Sequence, residues 1–98
     1  MKAILIDSVS IKQIDIENKL EALQEAVGGY IEAIYLYSGK AVMIVNEEGL
    51  LRGLGINFIA SEIARTPIVG FALIVGVDGE EFTDIPEDIA QKLISIFE

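Results

Sequence analysis

The chain has 98 residues, a net charge of −9 and neither cysteine nor histidine. Its length predicts a single domain, residues 1–98, with one hydrophobic core. Without cysteine there can be no disulfide, zinc–thiolate site or redox thiol, and without histidine the commonest general base is missing. We therefore predict that the protein is not an enzyme and uses no cofactor. The negative charge repels phosphate backbones and argues against duplex nucleic acid as a partner.

The apolar content is high for so small a domain, at 52% of residues with a mean hydropathy of +0.51. A small domain cannot hide all of this surface, so we predict a homo-oligomer, although a tightly packed monomer would also fit. The expected contact patches are the C-terminal helix, with Ile94 and Phe97, and a sheet face with Tyr35 and Tyr37. The longest apolar run, residues 68–77, is too short for a membrane helix, so we expect a cytoplasmic protein without a membrane partner.

The first half of the chain predicts one helix among several strands. Short apolar or alternating runs predict strands at residues 3–6, 9–14, 30–37, 41–45 and 50–52. Asp15 is a candidate N-cap for a helix over residues 15–27, because this segment has one apolar face. Gly28-Gly29 then supplies the left-handed residue that commonly ends a helix.

The second half predicts a short helix, a central strand and a C-terminal helix. Asn57 can cap the short helix, which would place Phe58, Ile59 and Ile63 inward and end before Pro67. Residues 68–75 are apolar on both faces, as in a central strand, and Asp78-Gly79 indicates a hairpin. Asp84 and Glu87 resemble a capping box for the last helix. These elements predict an α+β fold with a mixed, mostly antiparallel sheet packed by two or three helices.

Three segments resemble a known family. They are Leu23–Glu32 (LQEAVGGYIE), Val45–Gly49 (VNEEG), and Asn57 followed by Ile68-Val69-Gly70. In this order they are similar to a family of small uncharacterised domains of phages, plasmids and bacteria. The resemblance implies a phage or mobile-element accessory protein and provides no catalytic residue to transfer. Members usually carry an acidic residue soon after the last valine-glycine motif, where this chain has Phe71.

One polar cluster interrupts the apolar pattern and is the best candidate for a ligand site. Amide and guanidinium groups can bind a base or a carboxylate directionally, and an aromatic ring can stack on it. The predicted ligand-binding residues are Asn46, Glu47, Arg52 and Asn57, with Tyr30 or Tyr35 as the stacking ring. Turn and cap chemistry also accounts for Asn46, Gly49 and Asn57 without any ligand, so both interpretations remain open.

Two functions of different classes follow. The first is a non-catalytic accessory protein that binds a small ligand or a partner, for example by sequestering a nucleotide-like host signal between subunits. The alternative is an acidic inhibitor that blocks a basic surface of a host or phage protein. A carboxylate-and-metal hydrolase ranks below both. Arg52 distinguishes the first two, because sequestration needs a buried cation and charge mimicry needs a dense acidic face.

Overall fold

All six strands of the computed structural model, which describes residues 1–98, join one antiparallel sheet. The strands are β1 (Lys2–Ile6), β2 (Ile11–Asp15), β3 (Ile31–Leu36), β4 (Ala41–Asn46), β5 (Ala72–Asp78) and β6 (Glu81–Thr83). The helices are α1 (Leu20–Val27), α2 (Phe58–Ala64) and α3 (Glu87–Phe97). The strand order is β2-β1-β5-β4-β3, with β6 beside β5. The predicted α+β fold is confirmed.

The helices divide between the two faces of the sheet. Side chains of a strand point alternately to opposite faces, so Ile4 packs toward α2 and α3 while Ala3 packs toward α1. The two central strands, β4 and β5, are buried on both faces for most of their length. This double burial explains why their sequences read as continuous apolar runs. None of the three helices combines the length and apolarity needed to cross a bilayer.

The prediction for the first helix was wrong at its beginning. Asp15 is the last residue of β2, where it pairs with Lys2, and α1 begins five residues later at Leu20. Ile16 precedes the helix, but its side chain packs on the same apolar cluster as Leu23. Its position in the sequence therefore fitted the spacing of a helical face although it does not belong to the helix. The predicted strand 9–14 lies at Ile11–Asp15 because Asp7 folds the preceding residues into a turn.

Two strand predictions in the middle of the chain were also wrong. Residues 50–52 form successive turns in which Arg52 N donates to Glu48 O at 3.0 Å, rather than a strand. The central strand begins at Ala72 instead of Ile68, because Gly70 has a left-handed backbone (φ +79°) that interrupts the extended run. The β5–β6 hairpin is present, but Asp78 pairs with Glu81, so its two loop residues are Gly79 and Glu80.

The remaining differences concern the short and C-terminal helices. Asn57 caps α2 as predicted, yet the Phe58 side chain is 65% exposed instead of inward. Asp84 forms no capping box, because its carboxylate accepts from Lys2 N at 2.8 Å and α3 starts after Pro86. Ile94 and Phe97 are partly buried against the larger core cluster and do not form the open patch that we expected.

Candidate functional site

A cleft of about 420 Å³ opens at the end of the sheet where β1 and β4 finish and β5 begins. This volume lies within the range of small-molecule sites. Its apolar side chains are Val27, Leu54, Ile56 and Phe71, its polar ones are Asp7, Ser8, Asn46 and Arg52, and its glycines are Gly28, Gly55 and Gly70. The cleft therefore combines an apolar wall with one cation, Arg52, and one carboxylate, Asp7.

Arg52 is held loosely at the cleft. Its Nη1 donates to the carbonyl oxygen of Gly28 at 3.3 Å, and its Nη2 lies 3.8 Å from Glu48 Oε1. Both distances are long for bonds to a guanidinium, and the side chain is 53% exposed. The Gly28 contact places the positive charge at the C-terminal end of α1, where the helix dipole is negative. A guanidinium has five N–H donors, so most of them are free for a ligand.

Asn46 connects the end of β4 to the end of α1. Its Nδ2 donates to Val27 O at 3.1 Å, and its Oδ1 accepts from Glu48 N at 2.8 Å. The residue is 5% exposed, and one of its two amide N–H groups carries no protein acceptor. Asn46 therefore positions the loop that bears Arg52.

Glycines allow the segments around the cleft to approach closely. A Cβ on Gly29 would lie 3.0 Å from Asn46 Nδ2, which would press on the amide that joins β4 to α1. A Cβ on Gly70 would lie 2.8 Å from Leu54 Cδ1, and the positive φ of Gly70 also disfavours any side chain. The Gly28-Gly29 pair thus ends α1, as predicted, and also makes room for the cleft wall.

Asn57 lies beneath the cleft rather than in its lining. Its Nδ2 donates to Ile6 O at 3.0 Å and to Gly70 O at 2.9 Å, while its Oδ1 accepts from Ala60 N at 3.0 Å. The side chain is 1% exposed, and both of its N–H groups are used. Asn57 therefore supports the cleft by holding β1, Gly70 and α2 together.

The other two predicted site residues lie outside the cleft. Glu47 is exposed and lines a separate groove beside Glu32 and Pro67. Tyr30 is exposed and absent from the cleft lining, although its carbonyl accepts from Glu47 N at 2.8 Å. The alternative stacking ring, Tyr35, is also exposed and outside the cleft, so of the residues predicted from sequence the structure brings only Asn46 and Arg52 together there.

Sequence reasoning did not single out Phe71 or the Leu54–Ile56 segment as parts of a site. Phe71 is 48% exposed at the cleft mouth, just before β5, and Ile56 is similarly open. One signal was available in the sequence. Gly70 before Phe71 permits a sharp change of direction, which can turn a large apolar side chain out of a central strand.

Asp7 is the only carboxylate in the cleft lining. Its oxygens accept from Val9 N at 2.9 Å, Ser10 N at 2.8 Å and Ser10 Oγ at 2.7 Å. These hydrogen bonds, chiefly that from Val9 N, lower the pKa of Asp7 below its ordinary value. A carboxylate that is stabilised in this way is a weak general base. Nowhere do three or more acidic side chains converge closely enough to hold a metal ion.

The whole chain, residues 1–98, matches the family model described as Domain of unknown function (DUF3846). No curated protein and no solved structure matches the chain significantly. The protein therefore belongs to the DUF3846 family.

Proposed function

We propose that this DUF3846 protein is a non-catalytic binding protein whose cleft holds a small planar anion. The observation that carries the proposal is the position of Arg52, a loosely held cation beside an apolar wall that includes Phe71. A planar apolar group would lie against Phe71 and Ile56, and its carboxylate or phosphate would accept from the Arg52 guanidinium.

The overall charge narrows the class of ligand. A protein with a net charge of −9 repels anions at long range, and each further negative charge on the ligand increases that cost. With Arg52 as the one cation and Asp7 as a carboxylate in the same lining, we expect a ligand of low charge, with two negative charges at most. A nucleoside monophosphate or a cyclic mononucleotide fits this description better than a triphosphate does.

The chemistry of the lining favours binding without turnover. The only carboxylate is Asp7, whose lowered pKa makes it a poor proton acceptor. Ser8 lies beside it, in a chain that has no histidine to activate a serine nucleophile. The phage or mobile-element context implied by the sequence resemblance adds a role that needs no turnover, namely sequestration of a nucleotide-like host signal. Arg52 is 53% exposed in the single chain, so the buried cation that this role needs would form only when the ligand or a second subunit covers it.

Thermal melts with a ligand panel test the proposal. The panel contains adenosine, adenosine monophosphate, cyclic adenosine monophosphate, adenosine triphosphate and inorganic phosphate. We expect a low-charge nucleotide to raise the melting temperature of the wild type and of Lys19→Gln, a control that removes one positive charge outside the cleft. Arg52→Gln should lose the shift. The proposal is wrong if no member of the panel shifts the wild type, or if Arg52→Gln responds as the wild type does.

One observation favours the alternative function, inhibition of a partner protein. Leu50, Leu51 and Phe58 are exposed apolar side chains on or beside the loop that carries Glu47 and Glu48. Exposed apolar groups with acidic neighbours suit a partner surface that is basic around an apolar centre. If Leu51→Lys abolishes a partner interaction and leaves nucleotide binding unchanged, the loop and the cleft have separate roles.

A further inference from the structure

A second groove, of about 660 Å³, lies at the opposite end of the sheet between α2 and α3. Residues near the beginning of β4 and the end of β5 close one end of it. Its floor is apolar and includes Ile63 of α2 together with Ile89, Leu93 and Phe97 of α3. It has no lining residue in common with the cleft that contains Arg52.

The groove carries an unusual share of the positive charge. Lys40, Arg65 and Lys92 line it, and they are three of the seven basic residues in the chain. Only two of the sixteen acidic residues, Glu62 and Asp88, line it as well. The lining therefore has a charge of +1 in a protein whose net charge is −9. None of the three cations forms an ion pair, because the two salt bridges of the structure involve Lys19 and Arg52.

Backbone strain is concentrated at the same place. Three non-glycine residues of the chain have a positive φ, and two of them, Tyr37 and Arg65, line the groove. Arg65 ends α2 with φ +59° and ψ +33°, a position where glycine is the usual residue. Its side chain makes no hydrogen bond or ion pair that would offset this cost. Strained backbone is enriched at functional sites, and here it occurs in the turn between β3 and β4 and at the end of α2, which both border the groove.

We propose that the α2–α3 groove binds an amphipathic anion, with the apolar body on the α3 floor and the anionic head among Lys40, Arg65 and Lys92. The volume suits a small molecule, and the apolar floor would receive an alkyl chain or an aromatic ring. Unpaired cations around an apolar floor are complementary to a carboxylate or phosphate on an apolar tail. Tyr37 adds a hydroxyl at one end, and partial burial raises its pKa, so this hydroxyl stays protonated and can donate to the head.

Titrations with short-chain probes followed by NMR test this inference. The probes are octanoate, octyl phosphate, octyltrimethylammonium and inorganic phosphate. We expect octanoate or octyl phosphate to shift amide signals of α2, α3 and the turn at residues 37–40. Comparison of these two probes distinguishes a carboxylate head from a phosphate head. The cationic probe of equal chain length should bind at least about tenfold more weakly, and inorganic phosphate should not bind because it has no apolar body.

Arg65→Gly separates binding from folding. Glycine is favoured at this left-handed position, so the variant should melt no lower than the wild type and should bind the anionic probe at least about tenfold more weakly. Lys92→Gln removes a second positive charge from the groove and should also weaken binding of the anionic probe. Lys19→Gln removes a charge outside the groove and should bind as the wild type does. The inference is overturned if the cationic probe binds equally well, or if Arg65→Gly and Lys92→Gln keep full affinity. It is also overturned if no probe binds. It is overturned as well if the shifted amides lie outside the groove, as they would if a second copy of the chain covered it.

Discussion

The Asn46 amide donates to the carbonyl oxygen of Val27 at 3.1 Å and so fastens the end of β4 to the end of α1. A second contact lies beside it, because Arg52 donates to the carbonyl oxygen of Gly28, next to Val27, so the segment from Asn46 to Arg52 is joined to the end of α1 at two points. The Gly28-Gly29 pair is adjacent to it, and the lack of a side chain on Gly29 leaves room for the amide.

Gly29→Ala should therefore destabilise the protein. The new Cβ would lie 3.0 Å from Asn46 Nδ2, so the amide must move away from its bond to Val27. We expect a loss of about 1–3 kcal/mol in the free energy of unfolding, measured by urea denaturation. Gly55→Ala is the matched control, since its Cβ would meet no atom within 4 Å and its φ is not positive. Equal stability of the two variants would contradict the packing described for Asn46.

Asn57→Ala should cost more than any other asparagine substitution. It removes three hydrogen bonds and leaves the buried carbonyl oxygen of Ile6 and the partly buried one of Gly70 without this donor. We expect a loss of about 3 kcal/mol or more in the free energy of unfolding. Asn18→Ala, which removes one exposed bond to Phe82 O, should cost about 1 kcal/mol or less. A loss for Asn57→Ala as small as that for Asn18→Ala would show that the Asn57 amide does not hold β1, Gly70 and α2 together.

Asp7 should make stability depend on pH in the acid range. Its pKa is lower in the folded state than in the unfolded chain, so its stabilising effect is complete above the unfolded value. That effect is lost as the pH falls below about 4 and through the folded pKa. The difference in unfolding free energy between the wild type and Asp7→Asn should therefore be larger at pH 7 than at pH 3. A difference that is the same at both pH values would show that the hydrogen bonds of Asp7 do not favour its charged form.

Self-association should involve the β3 edge of the sheet. β3 pairs only with β4, so one side of it presents an open row of backbone groups, and its Tyr35 side chain is 68% exposed. The strand at the other end of the order, β2, carries the exposed Lys12, and a charged side chain on an edge strand discourages pairing. Light scattering should show a dimer for the wild type and a monomer for Tyr35→Lys. Val9→Lys, an exposed apolar position in the β1–β2 turn, is the control and should remain dimeric. A wild type that is monomeric at high micromolar concentration contradicts this prediction.

The pattern of the sequence predicted the elements better than it predicted their ends. Apolar runs located β1, β4 and the C-terminal helix because burial dominates there. Asp15 and Asp84 were misassigned as helix caps for the same physical reason: both residues are engaged with Lys2, which is 13 and 82 residues away. A capping preference is a local effect of about 1 kcal/mol; sheet pairing overrides it at Asp15, and the hydrogen bond from Lys2 N to the carboxylate overrides it at Asp84.

The site was only partly predictable because the sheet assembles it from distant segments. Asn46 and Arg52 stand close together in the sequence and were found as a polar cluster. Asp7, Val27 and Phe71 reach the same cleft only because β1 and α1 end beside the beginning of β5. Nothing in the local sequence of these residues marks them as neighbours.

The proposed ligand of the cleft beside Arg52 is a small planar anion. The most direct test is an NMR titration of the isotope-labelled protein with cyclic adenosine monophosphate. We expect saturable shifts at the amides of Gly28, Gly55, Gly70 and Phe71, and their loss in Arg52→Gln. Saturable shifts that persist unchanged in Arg52→Gln, or a spectrum that the nucleotide leaves unaltered, would contradict the claim.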